Sequence, residues 1–124
     1  MSTVAQVIAQ KLAEAGVRYV FGHPGGEVAH LLEALRQTGI EFVLTRHEAT
    51  AAYLAGTWGE LTGEPGVCLS TLGPGASNLL SGVANGFLER APMLAITAQL
   101  ATDREIRATH QRLDVAAMYA PITK

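Results

Sequence analysis

Residues 67–78 read Val-Cys-Leu-Ser-Thr-Leu-Gly-Pro-Gly-Ala-Ser-Asn. The short apolar run at 67–71 is typical of a buried strand. The Gly-Pro-Gly at 73–75 is a strong turn signal, and the leucines and valine that follow at helical spacing predict a helix over about 76–90. A strand that leads through a tight turn into a helix is the building unit of a parallel α/β fold.

The same unit recurs along the chain. Apolar periodicity and turn residues predict strands at about 17–21, 40–44, 67–71 and 93–98, and helices at about 4–15, 27–37, 48–61 and 76–90. Thr3 with Gln6 forms a capping-box pattern for the first helix. Short connections and strands that are apolar on both faces predict a doubly wound, mostly parallel sheet with helices on both faces.

The C-terminal part of the sequence departs from this alternation. Residues 99–112 are polar and without periodicity, which predicts a long loop. Residues 113–122 are apolar again, but no closing helix is predicted before the last residue. We therefore expect a single α/β domain over residues 1–124 that is truncated at its C-terminus.

The composition narrows the functional classes. Hydrophobic residues make up 48% of the chain and charged residues only 16%, so either part of the surface is covered by another domain or the domain is an ordinary one with a large core. The net charge of −2, without a basic run, argues against nucleic-acid binding. No signal-peptide pattern and no apolar stretch of membrane-spanning length occur, so we expect a cytoplasmic protein without a membrane partner.

Ligands of open α/β sheets bind beyond the C-terminal ends of the strands. Four glycine-rich or polar segments lie there in this interpretation, at 22–26, 45–48, 72–78 and 99–112. Glu48 is the first candidate, because it follows a strand, opens a helix and precedes several alanines. A helix dipole alone favours a carboxylate in that position, so a simple charge preference and a ligand-binding role both stay open.

Other kinds of site find less support in the sequence. The turn at 73–75 is neither a Walker A loop nor a complete dinucleotide-binding fingerprint. No histidine pair has metal-ligand spacing, so no protein-built metal site is expected. The single cysteine, Cys68, lies in an apolar run and is expected to be a small buried hydrophobic residue.

Taken together, these motifs resemble the N-terminal pyrimidine-binding domain of thiamine diphosphate (ThDP) enzymes, in particular those of the acetolactate synthase kind. The resemblance rests on five stretches whose order and spacing cover nearly the whole chain: 20–26, 46–49, 51–56, 73–78 and 91–97. It implies a flavodoxin-like fold and assigns the catalytic role to Glu48. In this family that carboxylate hydrogen-bonds a ring nitrogen of the cofactor's aminopyrimidine and favours the tautomer that accepts the thiazolium proton.

The resemblance also implies the remaining site residues. The implied cofactor-binding residues are Pro24, Gly25, Gly26, Glu48, Thr71, Gly73, Pro74, Gly75 and Asn78. The implied substrate-facing residues are His23, His110 and Gln111. A histidine is unusual at position 23, where it either adds a titratable group or caps the turn. The glycine at 26 and the single histidine at 110 differ from the simple decarboxylases and favour the carboligase-like branch.

The resemblance further implies a larger assembly. The family holds the diphosphate and its Mg²⁺ in a separate domain of another subunit, and some members carry FAD in a central domain, so both are candidate cofactors here. The implied substrate is a small 2-oxo acid, and the implied assembly is a homodimer or tetramer. Two alternatives remain: a stand-alone binding or regulatory module without catalysis, and an unrelated flavodoxin-like domain.

Overall fold

A computed structural model describes residues 1–102 and 111–124 of the chain. Its helices are α1 (Val4–Glu14), α2 (Ala29–Gln37), α3 (Glu48–Thr62), α4 (Pro74–Glu89) and α5 (Val115–Tyr119). Its strands are β1 (Tyr19–Gly22), β2 (Glu41–Leu44), β3 (Gly66–Ser70) and β4 (Met93–Thr97). Two 3₁₀ turns cover Gly26–Val28 and Ala120–Ile122.

The four described strands form one parallel sheet in the order β2-β1-β3-β4. The chain builds outward from β1 to β2 and then crosses to the other side of β1 to form β3. The strand order therefore reverses between β1 and β3, which is the switch point of a flavodoxin-like sheet. The predicted doubly wound α/β fold is confirmed.

Alternation along the strands divides the core into two layers. Val20 points to the side of α1 and α2, where it meets Leu12 and Leu35, whereas its neighbour Phe21 points to the side of α3 and α4. Strand β3 alternates in the same way and is buried along its whole length, with Cys68 on the α3 and α4 side. Both faces of the sheet are thus covered, as a parallel sheet requires.

Helices α3 and α4 cross at close range because their contact is made of very small residues. A Cβ atom added at Gly82 would meet the Cβ of Ala52 and would lie 2.9 Å from both the Ala49 carbonyl oxygen and the Tyr53 amide nitrogen. Only glycine therefore permits this crossing. The close approach brings the N-terminal ends of the two helices side by side at the C-terminal edge of the sheet.

Three elements differ from the sequence prediction by more than one residue at a boundary. Helix α4 begins at Pro74 rather than at Ala76, because proline has no amide hydrogen to leave unpaired in a first turn and its φ suits the helix. A 3₁₀ turn, Gly26–Val28, precedes the regular helix that was predicted from residue 27. Strand β1 is Tyr19–Gly22 instead of 17–21.

The sequence analysis assigned no element to the apolar residues 113–122, but the short helix α5 lies there. Asp114 caps it by accepting a hydrogen bond from the Ala117 amide at 2.9 Å. The Tyr119 hydroxyl donates to the carbonyl oxygen of Ala76 at 2.7 Å and so ties α5 to the first turn of α4. Residues 103–110 of the predicted loop lie outside the described residues.

The helix crossing predicts that Gly82→Ala destabilises the fold, by roughly 1–3 kcal/mol, because the added methyl group has no space to enter. Gly56→Ala on α3 is the matched control. Its Cβ would make ordinary contacts at 3.9 and 4.0 Å, so the better helix former should be neutral or stabilising by up to about 1 kcal/mol. Urea unfolding of the two variants measures both effects, and equal stabilities would contradict the proposed crossing.

Burial raises the pKa of the Cys68 thiol from 9.0 to about 12. Between these values the unfolded chain has lost the thiol proton while the folded chain retains it. The free energy of unfolding should therefore fall as pH rises above about 9, by at most about 1.4 kcal/mol per pH unit. Burial raises the pKa of Tyr119 too, which acts in the same direction.

The variant Cys68→Ala distinguishes the contribution of the thiol to the pH dependence of stability from the contributions of other groups that titrate in this range. Unfolding in urea, with reductant present, should show a shallower alkaline decline for this variant than for the parent chain. Parallel declines would show that Cys68 is not the source.

Candidate functional site

The candidate site lies at the C-terminal edge of the sheet, beside the β1/β3 switch point. The register pairs Gly22 with Leu69 and Ser70 with Thr97, so β1, β3 and β4 end at nearly the same level. The loops after β1 and β3 and the start of α3 therefore converge. This convergence is what sequence reasoning expected for the loops at 22–26, 45–48 and 72–78.

Glu48 is the first residue of α3 and is nearly buried, with 8% of its surface exposed. The helix is capped by His47, whose Nδ1 accepts the Ala49 amide at 3.1 Å. Asn78 on α4 donates its side-chain amide to Glu48 Oε2 at 3.1 Å. In the part of the chain that the structure describes, this is the only hydrogen bond to the Glu48 side chain, so the carboxylate keeps capacity to accept another donor.

Two glycines give the site its close walls. A Cβ at Gly75 would lie 2.8 Å from the Thr71 γ-methyl and 3.5 Å from Glu48 Oε1. A Cβ at Gly25 would lie 2.6 Å from the Thr71 hydroxyl oxygen. Thr71 is thus wedged between the loop after β1 and the first turn of α4, and any side chain at either glycine would push into it.

The turn before α4 also requires glycine. Gly73 has φ of +58°, and a Cβ there would lie 2.7 Å from the backbone oxygen of Gln111. Pro74 follows as the first residue of the helix and is exposed. Gln111, one of the predicted substrate-facing residues, therefore lies against the strand-to-helix turn of the site.

His23 lies half-buried next to the site, in the loop that follows β1. Its Nδ1 is 2.8 Å from the Thr45 carbonyl oxygen. A carbonyl only accepts, so Nδ1 carries the proton and the ring joins the loops after β1 and β2. Pro24 and Gly26 are exposed on the same loop, and a Cβ at Gly26 would meet no heavy atom within 4 Å. The predicted residue His110 lies outside the described residues.

Sequence reasoning missed Glu27. It was interpreted only as the start of a helix, but its Oε2 accepts a hydrogen bond from the Thr71 hydroxyl at 2.6 Å. The available signal was its position one residue after the glycine pair of a loop already assigned to the site. Nothing in the spacing indicated which residue of the other loop it would contact.

The arrangement fits a flat heterocycle that carries an N–H donor. Glu48 offers an acceptor with limited water access, and the missing side chains at Gly25 and Gly75 leave backbone-lined walls. Among residues 1–102 and 111–124, no group of three or more His, Cys, Asp or Glu side chains is arranged to hold a metal ion. Within the same residues, no helix is long and apolar enough to cross a membrane.

Comparison with known proteins identifies the family of this chain. The family model described as "Thiamine pyrophosphate enzyme, N-terminal TPP binding domain" matches residues 2–118. An acetolactate synthase of Bacillus subtilis (strain 168) is 42% identical over 97% of this chain and 21% of its own length. A probable acetolactate synthase large subunit of Methanocaldococcus jannaschii is 38% identical over 97% of this chain and 20% of its own.

A third relative, the acetolactate synthase isozyme 2 large subunit of Escherichia coli (strain K12), is 39% identical over 97% of this chain and 22% of its own length. The chain thus spans about a fifth of the length of the curated relatives it matches. The resemblance noted in the sequence is confirmed: the chain belongs to the family of N-terminal TPP-binding domains of thiamine pyrophosphate enzymes.

Proposed function

We propose that this chain is the pyrimidine-binding half of an acetolactate synthase-like enzyme and activates ThDP for decarboxylation and carboligation of a 2-oxo acid. The observation that supports this most is the Glu48 carboxylate. It is nearly buried, is oriented by Asn78, and retains an acceptor oxygen beside the Gly75 wall.

The reactive group for this chemistry belongs to the cofactor: when bound, it supplies a thiazolium ring that can form a carbanion. The chain's own residues bind and orient its pyrimidine. Glu48 would accept a hydrogen bond from the ring N–H that the imino tautomer of the pyrimidine carries, and low water access would make that bond strong. Gly25 and Gly75 let the ring approach the backbone, and Asn78 keeps the carboxylate from rotating away.

His23 and Gln111 supply polar groups on the loops around this pocket. His23 is oriented by the Thr45 carbonyl, so its Nε2 is its remaining polar group. Gln111 lies at the turn before α4. Both are proposed to face the 2-oxo acid, with His110 as a third such residue.

The other half of the site is proposed to come from a diphosphate-binding domain of another subunit or chain, which would hold Mg²⁺ as well. This fits a chain that spans about a fifth of its relatives. We propose a homodimer or tetramer, in which subunits would share such sites, and FAD would belong to a further domain. The alternative, a stand-alone module without catalysis, does not explain why a carboxylate is kept nearly buried in this pocket.

Glu48→Gln in the complete enzyme should reduce kcat by roughly 10²–10⁴-fold, because an amide is a far weaker acceptor for the ring N–H at this position. Glu60→Gln is the control, since it makes the same chemical change at an exposed position of the same helix. Steady-state turnover of a 2-oxo acid with saturating ThDP and Mg²⁺ is the measurement. Near-normal turnover of Glu48→Gln would refute the role of this carboxylate.

Gly75→Ala should weaken ThDP binding by roughly tenfold or more, because the new methyl group enters the space between the Thr71 methyl and Glu48. Gly56→Ala, on α3 but outside the site, should bind like the parent enzyme. Calorimetric titration of both complete enzymes with ThDP in the presence of Mg²⁺ compares the two. Equal affinities would place the pyrimidine elsewhere.

A further inference from the structure

Glu27 and Thr71 make a side-chain contact that joins the two loops of the switch point. Glu27 lies in the 3₁₀ turn Gly26–Val28, after β1, and Thr71 directly follows β3. The Thr71 hydroxyl donates to Glu27 Oε2 at 2.6 Å. A short hydrogen bond to a carboxylate is among the stronger kinds in proteins, and this one links residues 44 positions apart.

The two branches of the Thr71 side chain differ in their contacts. Both lie near Gly25, where an added Cβ would be 2.6 Å from the hydroxyl oxygen and 3.1 Å from the γ-methyl, whereas only the γ-methyl is among the atoms nearest to a Cβ at Gly75, at 2.8 Å. Glu48 Oε1 lies 3.5 Å from the same Cβ position, so the methyl and the candidate carboxylate both border the space that Gly75 leaves open. Threonine prefers staggered χ1 values, and a change of rotamer would bring a different branch to that place.

We propose that Glu27 is a positioning residue of the pyrimidine pocket: it fixes the rotamer of Thr71 so that a methyl group, and not a hydroxyl donor, faces the space that Gly75 leaves open. The contact itself stands on the geometry alone, and its consequence for ligand binding rests on the proposed function.

The consequence follows from hydrogen-bonding capacity. A hydroxyl turned into the open space at Gly75 would place a polar group, which needs a hydrogen-bonding partner, in the wall beside a ligand ring. A methyl group in that place donates nothing and offers an apolar wall to a flat ring. Glu27 thereby keeps this wall apolar, although it makes no contact with the ligand.

The rotamer is measured directly by NMR on the full 124-residue chain with labelled threonine methyl groups. Three-bond couplings report χ1 of Thr71, and a nuclear Overhauser effect reports contact of its methyl with the Gly75 α-protons. The parent chain should show one rotamer and the methyl–glycine contact. Glu27→Gln, which keeps an acceptor oxygen, should retain both, whereas Glu27→Ala should show averaged couplings and a weakened contact.

Two further variants serve as controls for simpler explanations of these results. Glu27→Asp keeps the charge but is one methylene shorter, so it should behave like Glu27→Ala if reach matters. Thr71→Val keeps the shape of the side chain without the hydroxyl. In that background Glu27→Ala should have no additional effect, which separates this bond from other interactions of Glu27.

Binding is measured by titrating the complete enzyme with ThDP in the presence of Mg²⁺. Glu27→Ala should raise the Kd roughly three- to tenfold and should lower kcat at saturating cofactor by less, whereas Glu27→Gln should restore the parent Kd. In the Thr71→Val background the two Kd values should coincide.

Unchanged couplings in Glu27→Ala would overturn the proposal, as would an altered rotamer with an unchanged Kd. If the parent enzyme does not bind ThDP, the proposed function fails. The couplings then decide by themselves whether Glu27 fixes Thr71.

Discussion

The close crossing of α3 and α4 is the constraint on which the site depends. These helices start from different strands, and Glu48 and Asn78 meet only because the two helices approach at Gly82. A side chain at position 82 would separate the helices and lengthen the hydrogen bond between them. The packing of small residues in the core is therefore linked directly to the orientation of one carboxylate at the edge of the sheet.

The electrostatic setting of that carboxylate follows from the same geometry. Glu48 lies in the first turn of α3, where the helix dipole favours a negative charge, and its hydrogen-bonding partner is a neutral amide. The ion pairs among the described residues are Lys11–Glu14, Arg18–Glu64 and Arg36–Glu33, all of them exposed and none of them at Glu48. Among the described residues, the Glu48 carboxylate is thus oriented by an amide and a helix dipole and not by a cation, which leaves it acceptor capacity for a ligand.

Much of the fold could be predicted from the sequence because its signals are local. Turn glycines, apolar periodicity and the Thr3–Gln6 capping box each act within a few residues, and the capping box is present as predicted. The parallel sheet then follows from the repeated strand–helix unit. The position of Glu48 at the start of α3 could be predicted for the same reason, since a helix boundary is a local property.

What the sequence did not predict depends on contacts between distant residues. Helix α5 is only five residues long and is held by the hydrogen bond from Tyr119 to Ala76. No periodic pattern in the sequence predicts this bond. The bond between Glu27 and Thr71 likewise requires the two loops to be brought together by the β1–β3 pairing. Propensity and spacing describe each loop separately, and only the register of the sheet determines which side chains meet.

The site also divides its residues between rigid and adaptable parts of the fold. Glu48 and Asn78 lie on regular helices whose positions are fixed by packing, whereas His23, Glu27 and Gln111 lie on turns and loops. Side chains on helices are positioned more precisely than those on loops, and substitutions in loops destabilise the core less. In the proposed enzyme, activation of the cofactor would therefore be preserved while the loop residues change the substrate, provided that the loop contacts do not disturb Thr71. The Glu27–Thr71 bond is the point at which these two parts meet, since it lets a loop residue act on the pocket that the helices define.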